Sequence, residues 1–458
     1  MWGILKKGKL IPMKKPLFIV VIILLVSSCS KDDYIPIESD LDVELLNVLD
    51  EASNGIGTSF FMLPESNDYV SIPQDPLNPI TEEKVVLGKL LLHETATGGN
   101  PKITEMKATY SCASCHQAAA GFAAGIRQGI GECGIGFGIR GEERVADTTV
   151  PRDSIDVQPI KSPTLLNVAY QDVMLWNGQF GGTGTNAGTE ASWTEIQENF
   201  LGFQGVEVQA IKGQKVHRLQ IDDEFVNTFG YKELFDAAFP DVAESERYTK
   251  RTGALAIAAY ERTLLANKSP WQNWLKGNNE SLTDSEKKGA IAFFGKGRCY
   301  ECHTGPALND KSFYSFGMGD FDNVNGALLL YDVNIDKVKR GRGGFTNNPA
   351  DDFKFKTPTL YNLIDSRFYG HGGTFTSIKD VISYKNEGVP QSTEVPLENL
   401  APQFGTIQLT AEEIDDMTSF IANSLRDPEL TRYVPESINS GNCFPNNDNV
   451  SRTDLGCD

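Results

Sequence analysis

Four stretches of the chain repeat apolar residues at helical spacing, and they fall into two pairs. Thr81-Glu82-Glu83 opens the first, which places Val86, Leu87, Leu90 and Leu91 on one side of a helix. The second covers residues 250–267, with Ala254, Ile257, Ala258 and Leu264 on its apolar side. Thr283-Asp284-Ser285-Glu286 is a capping box, in which a threonine and the glutamate three residues on satisfy the free amides of a first helical turn. The helix it starts carries Ala290, Phe293 and Phe294. Thr410-Ala411-Glu412-Glu413 is a second such box, followed by Ile414, Met417, Phe420, Ile421 and Leu425 at helical spacing.

Between the members of the first pair the pattern lapses. Residues 117–160 are rich in Gly and polar residues and read as a long loop, and residues 181–190 read as a Gly-rich insertion. No segment alternates apolar and polar residues as a strand does. The pattern predicts an all-α protein with long irregular loops and two tandem domains, 57–269 and 270–430, divided where Ser269-Pro270 breaks the chain. Residues 29–56 are acidic and poor in aromatics and read as a tether. Residues 431–458 read as a polar tail, in which Cys443 and Cys457 are placed to form a disulfide outside the cytoplasm.

The first 28 residues change the picture of where the protein works. Lys6, Lys7, Lys9, Lys14 and Lys15 precede an apolar run from Leu17 to Val26, with small residues after it. This is the layout of a secretory leader, and the run is too short for a good membrane span. Met13-Lys14-Lys15 begins a more typical leader within it. Val26-Ser27-Ser28-Cys29 resembles a lipoprotein cleavage box, which predicts a mature chain anchored to a membrane by lipid on Cys29. An ordinary leader followed by an unrelated Cys is the alternative. The expected location is the periplasmic side of a bacterial envelope, as an outer-membrane lipoprotein. Removing the leader with its five lysines takes the net charge from −19 to −24. So acidic a chain is not expected to bind nucleic acid or anionic headgroups, and it suits a basic redox partner.

Eight cysteines and only five histidines are present. Two cysteine pairs stand directly before a histidine: Cys112-Ala113-Ser114-Cys115-His116 and Cys299-Tyr300-Glu301-Cys302-His303. Covalent haem attachment needs two thiols on one short turn, one for each vinyl group, and a histidine beside them to ligate iron. A thioredoxin-like redox pair or half of a zinc site uses the same cysteines. Neither a βαβ context nor a shared four-ligand pattern accompanies them here. Two covalently bound haem c groups follow as the expected cofactors, with His116 and His303 as iron ligands. The two tandem domains then read as cytochrome c-like haem domains.

With the motifs placed, residues 85–425 resemble the di-haem cytochrome c peroxidase and MauG family. The resemblance rests on Val86-Leu87-Gly88-Lys89-Leu90-Leu91 and on both haem motifs. It continues in Ser162-Pro163-Thr164-Leu165-Leu166-Asn167, Leu175-Trp176-Asn177-Gly178 and Ala259-Tyr260-Glu261-Arg262-Thr263-Leu264. Phe355-Lys356-Thr357-Pro358-Thr359-Leu360-Tyr361-Asn362 and Tyr369-Gly370-His371-Gly372-Gly373 complete it, in the family's order.

The resemblance implies an exported peroxidase that reduces hydrogen peroxide with electrons from a small redox protein or other one-electron donor. It makes the first haem the reactive one and the second a relay. Many members close the first iron with a loop His, but no His lies between residues 117 and 216 here. Cys133 falls near that place as an alternative ligand or an inert thiol. Gln209, in Val206-Glu207-Val208-Gln209-Ala210, matches a glutamine facing the peroxide. Where the family has an acid–base glutamate this chain has Val216-His217-Arg218-Leu219, so His217 is the candidate proton shuttle. Trp176 matches a tryptophan between the haems.

For the second haem's sixth ligand, the count from His371 reaches Lys385. Tyr384 beside it is the first choice, Lys385 the second and Met318 a remote third. The family's interhaem Ca²⁺ is doubtful, because Lys161 replaces an Asn ligand; the other donors would be carbonyls near Ser366 and Phe368. A MauG-like oxidase of a protein or organic substrate, slightly favoured by Tyr384, and a purely electron-transferring cytochrome are the competing readings.

Overall fold

Residues 39–324, 327 and 334–458 are described in the computed structural model; the leader and Cys29 lie outside them. Among these residues seven α-helices reach nine residues or more. They are α1 (Asp40–Ala52), α2 (Glu82–His93), α3 (Gly205–Val216), α4 (Lys250–Arg262), α5 (Asp284–Phe294), α6 (Ile378–Glu387) and α7 (Ala411–Ser419). None is long and apolar enough to cross a membrane. Much of the remaining chain is joined by single 3₁₀ turns. The two strand pairs are two residues long on each side, Gly134–Ile135 with Val145–Ala146 and Phe313–Tyr314 with Phe355–Lys356.

The helix starts follow the caps. Thr81, Thr283 and Thr410 accept the backbone N–H of Lys84, Glu286 and Glu413, and both expected capping boxes form. The helix expected to reach residue 267 stops at Arg262. Beyond it, the Leu264 carbonyl receives the Asn167 N–H, and the Ala266 N–H donates to the Asn167 side chain. Past α7, residues Phe420–Ser424 continue as a wider π turn.

Each haem motif lies between two helices that touch backbone to backbone. A Cβ on Gly88 of α2 would lie 2.0 Å from the Ala256 carbonyl oxygen of α4. One on Gly289 of α5 would lie 2.1 Å from the Asp416 carbonyl oxygen of α7. Only glycine permits either approach. One apolar core forms around α2, α3 and α4, with Leu87, Leu91, Val206, Ile257 and Tyr260. A second forms around α5, α6 and α7, with Trp271, Phe293, Met417 and Phe420.

These cores do not follow the sequence segments. The expected tether is corrected over residues 40–52, which form α1. Leu45 and Leu49, one helical turn apart, are buried in the second core. Asp42 of α1 bonds the Lys287 ammonium at 2.7 Å and the Trp274 indole N–H at 2.8 Å. Burial raises its carboxyl, but these bonds outweigh it and hold the group below its usual range. A count of acids concealed this apolar stripe. In the other direction, Leu430 and Tyr433 join the first core. Residues 117–160 are more ordered than a loop: Ile130, Cys133, Ile155 and Val157 build a small third cluster with Met106. In the tail, Cys443 and Cys457 are joined by a disulfide.

One segment occurs twice, 195 residues apart: Lys161-Ser-Pro-Thr-Leu-Leu-Asn167 and Lys356-Thr-Pro-Thr-Leu-Tyr-Asn362. Asn167 and Asn362 are both buried with left-handed backbones, at φ 59° and 55°. Each amide holds the end of its own closing helix, at Leu264 and at Leu425. Further on, the bridges Met174–Phe180 and Tyr369–Phe375 match in position. The two copies exchange hydrogen bonds: the Lys161 N–H donates to the His371 carbonyl (2.9 Å) and the Lys356 N–H to the Trp176 carbonyl (2.7 Å).

Candidate haem and peroxide site

Both Cys-x-x-Cys-His motifs sit on one 3₁₀ turn, Cys112–Ser114 and Cys299–Glu301, which brings the two cysteines of each to one side. The histidines are held alike. His116 Nδ1 lies 3.2 Å from the Phe122 carbonyl, and His303 Nδ1 lies 3.0 Å from the Leu308 carbonyl. A carbonyl partner places the proton on Nδ1 and leaves the Nε2 lone pair for a metal. Burial pushes both imidazoles down to about 4, so both are neutral at physiological pH. Burial also pushes the Cys112 and Cys115 thiols up to about 12 and Cys299 to about 11. The motif sulfurs are not joined to one another.

A cavity of about 240 Å³ is lined by Cys299, Cys302 and His303, by Trp176, and by Ala120 and Gly121 just beyond the first motif. Phe293, Ile382, Leu409 and Ile421 give it apolar walls, and Lys161 and Lys356 give it cations. Apolar walls, thiols, a neutral imidazole and buried cations fit a haem with its carboxylate edge.

Helix α6 borders this cavity with Ile378, Val381, Ile382 and Lys385, the i, i+3, i+4 and i+7 positions of one face. Tyr384 is one residue out of that register. Its hydroxyl donates to the Phe316 carbonyl at 2.7 Å and accepts the Gln391 N–H at 3.2 Å, and its ring packs on Phe375 and Phe404. The helix turns Lys385, the second choice of sixth ligand, to the cavity, and Tyr384, the first choice, away from it. The Lys385 ammonium lies 4.2 Å from the Phe316 ring centre and close to Cys299 and Cys302. Burial lowers its pKa. Met318 also lines the cavity.

Gln209 and His217 belong to one face of α3, His217 forming its C-cap. Both side chains border Gly213, at 3.6 and 3.9 Å from where its Cβ would be. Gln209 Oε1 is buried without a hydrogen-bond partner. His217 lies near enough to His116 to add to the depression of that imidazole. The carboxylate missing from the α3 sequence is supplied by another segment: Asp156 Oδ2 lies 2.8 Å from His217 Nδ1. Burial alone lowers His217, but Asp156 outweighs it and the net shift is upward. Asp156 is itself held low by His217, Arg218 and Arg144 against the effect of its burial. Nearby, Arg218 is bonded to the buried Glu132.

The Trp176 indole N–H donates to the Lys161 carbonyl at 2.8 Å, and its ring centre is 6.3 Å from that of His371. His371 Nε2 lies 3.0 Å from Asp320. Cys133 Sγ points to the Ser154 carbonyl, 3.7 Å away inside the third cluster. The two carbonyls expected near Ca²⁺ already accept side-chain bonds: Ser366 from the Tyr369 hydroxyl at 2.9 Å, Phe368 from the Ser366 hydroxyl at 3.2 Å.

A family model described as di-haem cytochrome c peroxidase matches residues 82–280. Cytochrome-c peroxidase IdrP1 of Pseudomonas sp. (strain SCT) is 27% identical over 379 residues, covering 79% of this chain and 85% of that protein. The methylamine utilization protein MauG of Methylophilus methylotrophus is 26% identical over 359 residues, covering 77% and 85%. The chain is thus similar to the di-haem cytochrome c peroxidase/MauG family. That family is one of oxidoreductases, and haem is its cofactor.

Solved structures agree on the fold. A MauG-like protein associated with microbial copper homeostasis superposes with a TM-score of 0.54 at 22% identity, over 80% of this chain and 95% of that one. The diheme peroxidase BthA from Burkholderia thailandensis E264 gives 0.50 at 16% identity, over 78% and 89%.

Sequence reasoning missed two functional candidates. Asp156 reaches His217 across 61 residues of chain, and no local pattern announces that pairing. Lys356 was visible only as part of a motif; its repetition of Lys161 was the signal that could have found it.

Proposed function

We propose that the chain is an exported di-haem c-type peroxidase, built as two tandem haem domains, that reduces hydrogen peroxide to water with electrons from a small external redox donor. Covalent attachment would use Cys112 and Cys115 for one haem and Cys299 and Cys302 for the other. His116 and His303 would be the iron ligands. The observation that carries the reading is the cavity joining the second motif, through Trp176, to the residues that follow the first.

When bound, the haems supply the electron-accepting and electron-storing chemistry. The chain's part is to position peroxide and move its protons. His217 takes the proton from the peroxide oxygen that binds and returns it to the oxygen that leaves. Gln209, with its unpartnered Oε1, orients the peroxide, and Asp156 holds the imidazole. One peroxide, two electrons from the donor and two protons give two waters. Trp176 lies on the path by which the second site passes electrons to the first. Lys385, which lines the cavity beside the second motif, would be the residue to hold the second haem's iron opposite His303.

The Tyr384 hydroxyl is bonded to the Phe316 carbonyl and the Gln391 N–H, which supports the peroxidase reading over the oxidase that Tyr384 slightly favoured. Export and a lipid anchor at Cys29 are supported by the leader pattern and by the Cys443–Cys457 disulfide. The test is steady-state peroxide consumption by the haem-loaded protein with a reduced small cytochrome as donor. Turnover requiring both reagents is expected. Reversible electron exchange without peroxide consumption would make the chain a plain electron carrier.

A further inference from the structure

Lys161 and Lys356 are the same residue of the repeated segment, and the fold brings both to one cavity. They are 6% and 8% exposed. The exchanged backbone bonds to His371 and Trp176 tie each lysine to the other copy of the repeat. Neither ammonium has a carboxylate at ion-pair distance among the described residues. Lys356 Nζ donates to the Gln171 side-chain oxygen, and no polar partner of Lys161 Nζ is found there. Asp172, whose charge reaches Lys356, commits Oδ2 to the Thr185 N–H and hydroxyl and keeps Oδ1 buried without a hydrogen-bond partner.

Among the described residues Lys161 has no carboxylate at ion-pair distance and Lys356 has only the more distant Asp172, and cations buried in this way are costly unless an anion joins them. Burial draws Lys161 down to about 8 and Lys356 to about 7, which leaves both amines readily charged beside an anion. The apolar walls named above offer nothing to a carboxylate, whereas every haem carries two propionates. We propose that Lys161 and Lys356 are a matched pair of propionate anchors, holding haem carboxylates at the junction of the two halves of the chain. This rests on the di-haem reading. It adds that the repeated segment supplies charge as well as its turn, and that the chain would carry its own cation between the cofactors.

The test uses the haem-loaded full-length protein and its K161M, K356M, K161R and K356R variants. Haem content per chain and the midpoint potential of each haem are measured together. A nearby cation favours the reduced haem, which is the more negative form. Each Met variant is therefore expected to retain two haems and show a downward shift of a midpoint, with the Arg variants close to the parent. Two haems with unchanged midpoints in both Met variants would overturn the inference and leave the di-haem reading standing. Fewer than two haems in the parent would overturn both. If the Met variants fail to load haem, the crystal structure of the loaded parent decides. Each Nζ should lie within about 4 Å of a propionate oxygen, and a greater distance for both contradicts the proposal.

Discussion

His217 Nδ1 lies 2.8 Å from the Asp156 carboxylate, and this bond joins the end of α3 to the long segment that follows the first haem motif. The contact fixes which imidazole nitrogen stays free and biases the ring toward its charged form. Replacing His217 by Ala is expected to lower kcat/KM for peroxide by roughly 10²–10⁴-fold. Asp156→Asn should cost less and should return the kinetic pKa toward the ordinary histidine value. A pH profile of kcat/KM for the parent and both variants checks this.

The same pair predicts how stability varies with pH. His217 is shifted up, so its contribution is complete below about pH 6.5, its unfolded value, and is lost as pH rises through the folded value. Asp156 is shifted down, so its contribution is present above about pH 4 and is lost as pH falls through its folded value. Melting temperatures of the parent and D156N should therefore differ most between these limits. The gap should narrow toward alkaline pH.

Lys385 shares a helical face with Ile378 and Ile382, and Tyr384 does not. Replacing Lys385 by Ala should open the second iron and convert a low-spin electron paramagnetic resonance signal to high spin. Tyr384→Phe should leave that signal unchanged. A change with the Tyr variant alone would return the ligand to Tyr384.

Gly88 and Gly289 allow their helices to meet a neighbouring backbone. Alanine at either position should destabilise the protein by about 1–3 kcal/mol or more, as overpacking does. Chemical denaturation of the single variants measures this. Alanine at Gly277, where nothing lies within 4 Å of the Cβ position, meets no such clash. It keeps a strained positive φ, however, and separates packing from backbone strain.

The lipid-anchor reading makes Cys29→Ser a release variant. Expressed with its leader, the parent should fractionate with membranes and the variant with the soluble envelope fraction. Equal partition would remove the anchor.

Local signals were the legible ones. Thr283 with Glu286 and Thr410 with Glu413 announce helix starts because both partners lie within one turn. The haem motifs compress their whole requirement into five residues. The remainder depended on direction or on distance. Leu45 and Leu49 were hidden by the acids around them. Tyr384 against Lys385 was a choice between two faces of α6, which spacing from His371 alone did not fix. Asp156 and His217 meet only because the long loop folds back. The repeat of Lys161 by Lys356 was written in the sequence, but its meaning needed the shared cavity.

With one haem open to peroxide and the other closed, the two irons of the proposed di-haem protein would be unlike. The most direct measurement is absorption and electron paramagnetic resonance spectroscopy of the oxidised, haem-loaded protein before and after hydrogen peroxide is added. One high-spin and one low-spin iron at the start, with the high-spin signal lost on peroxide, is the predicted result. Two low-spin irons that peroxide leaves unchanged would mean that neither haem is open and that the chain is no peroxidase.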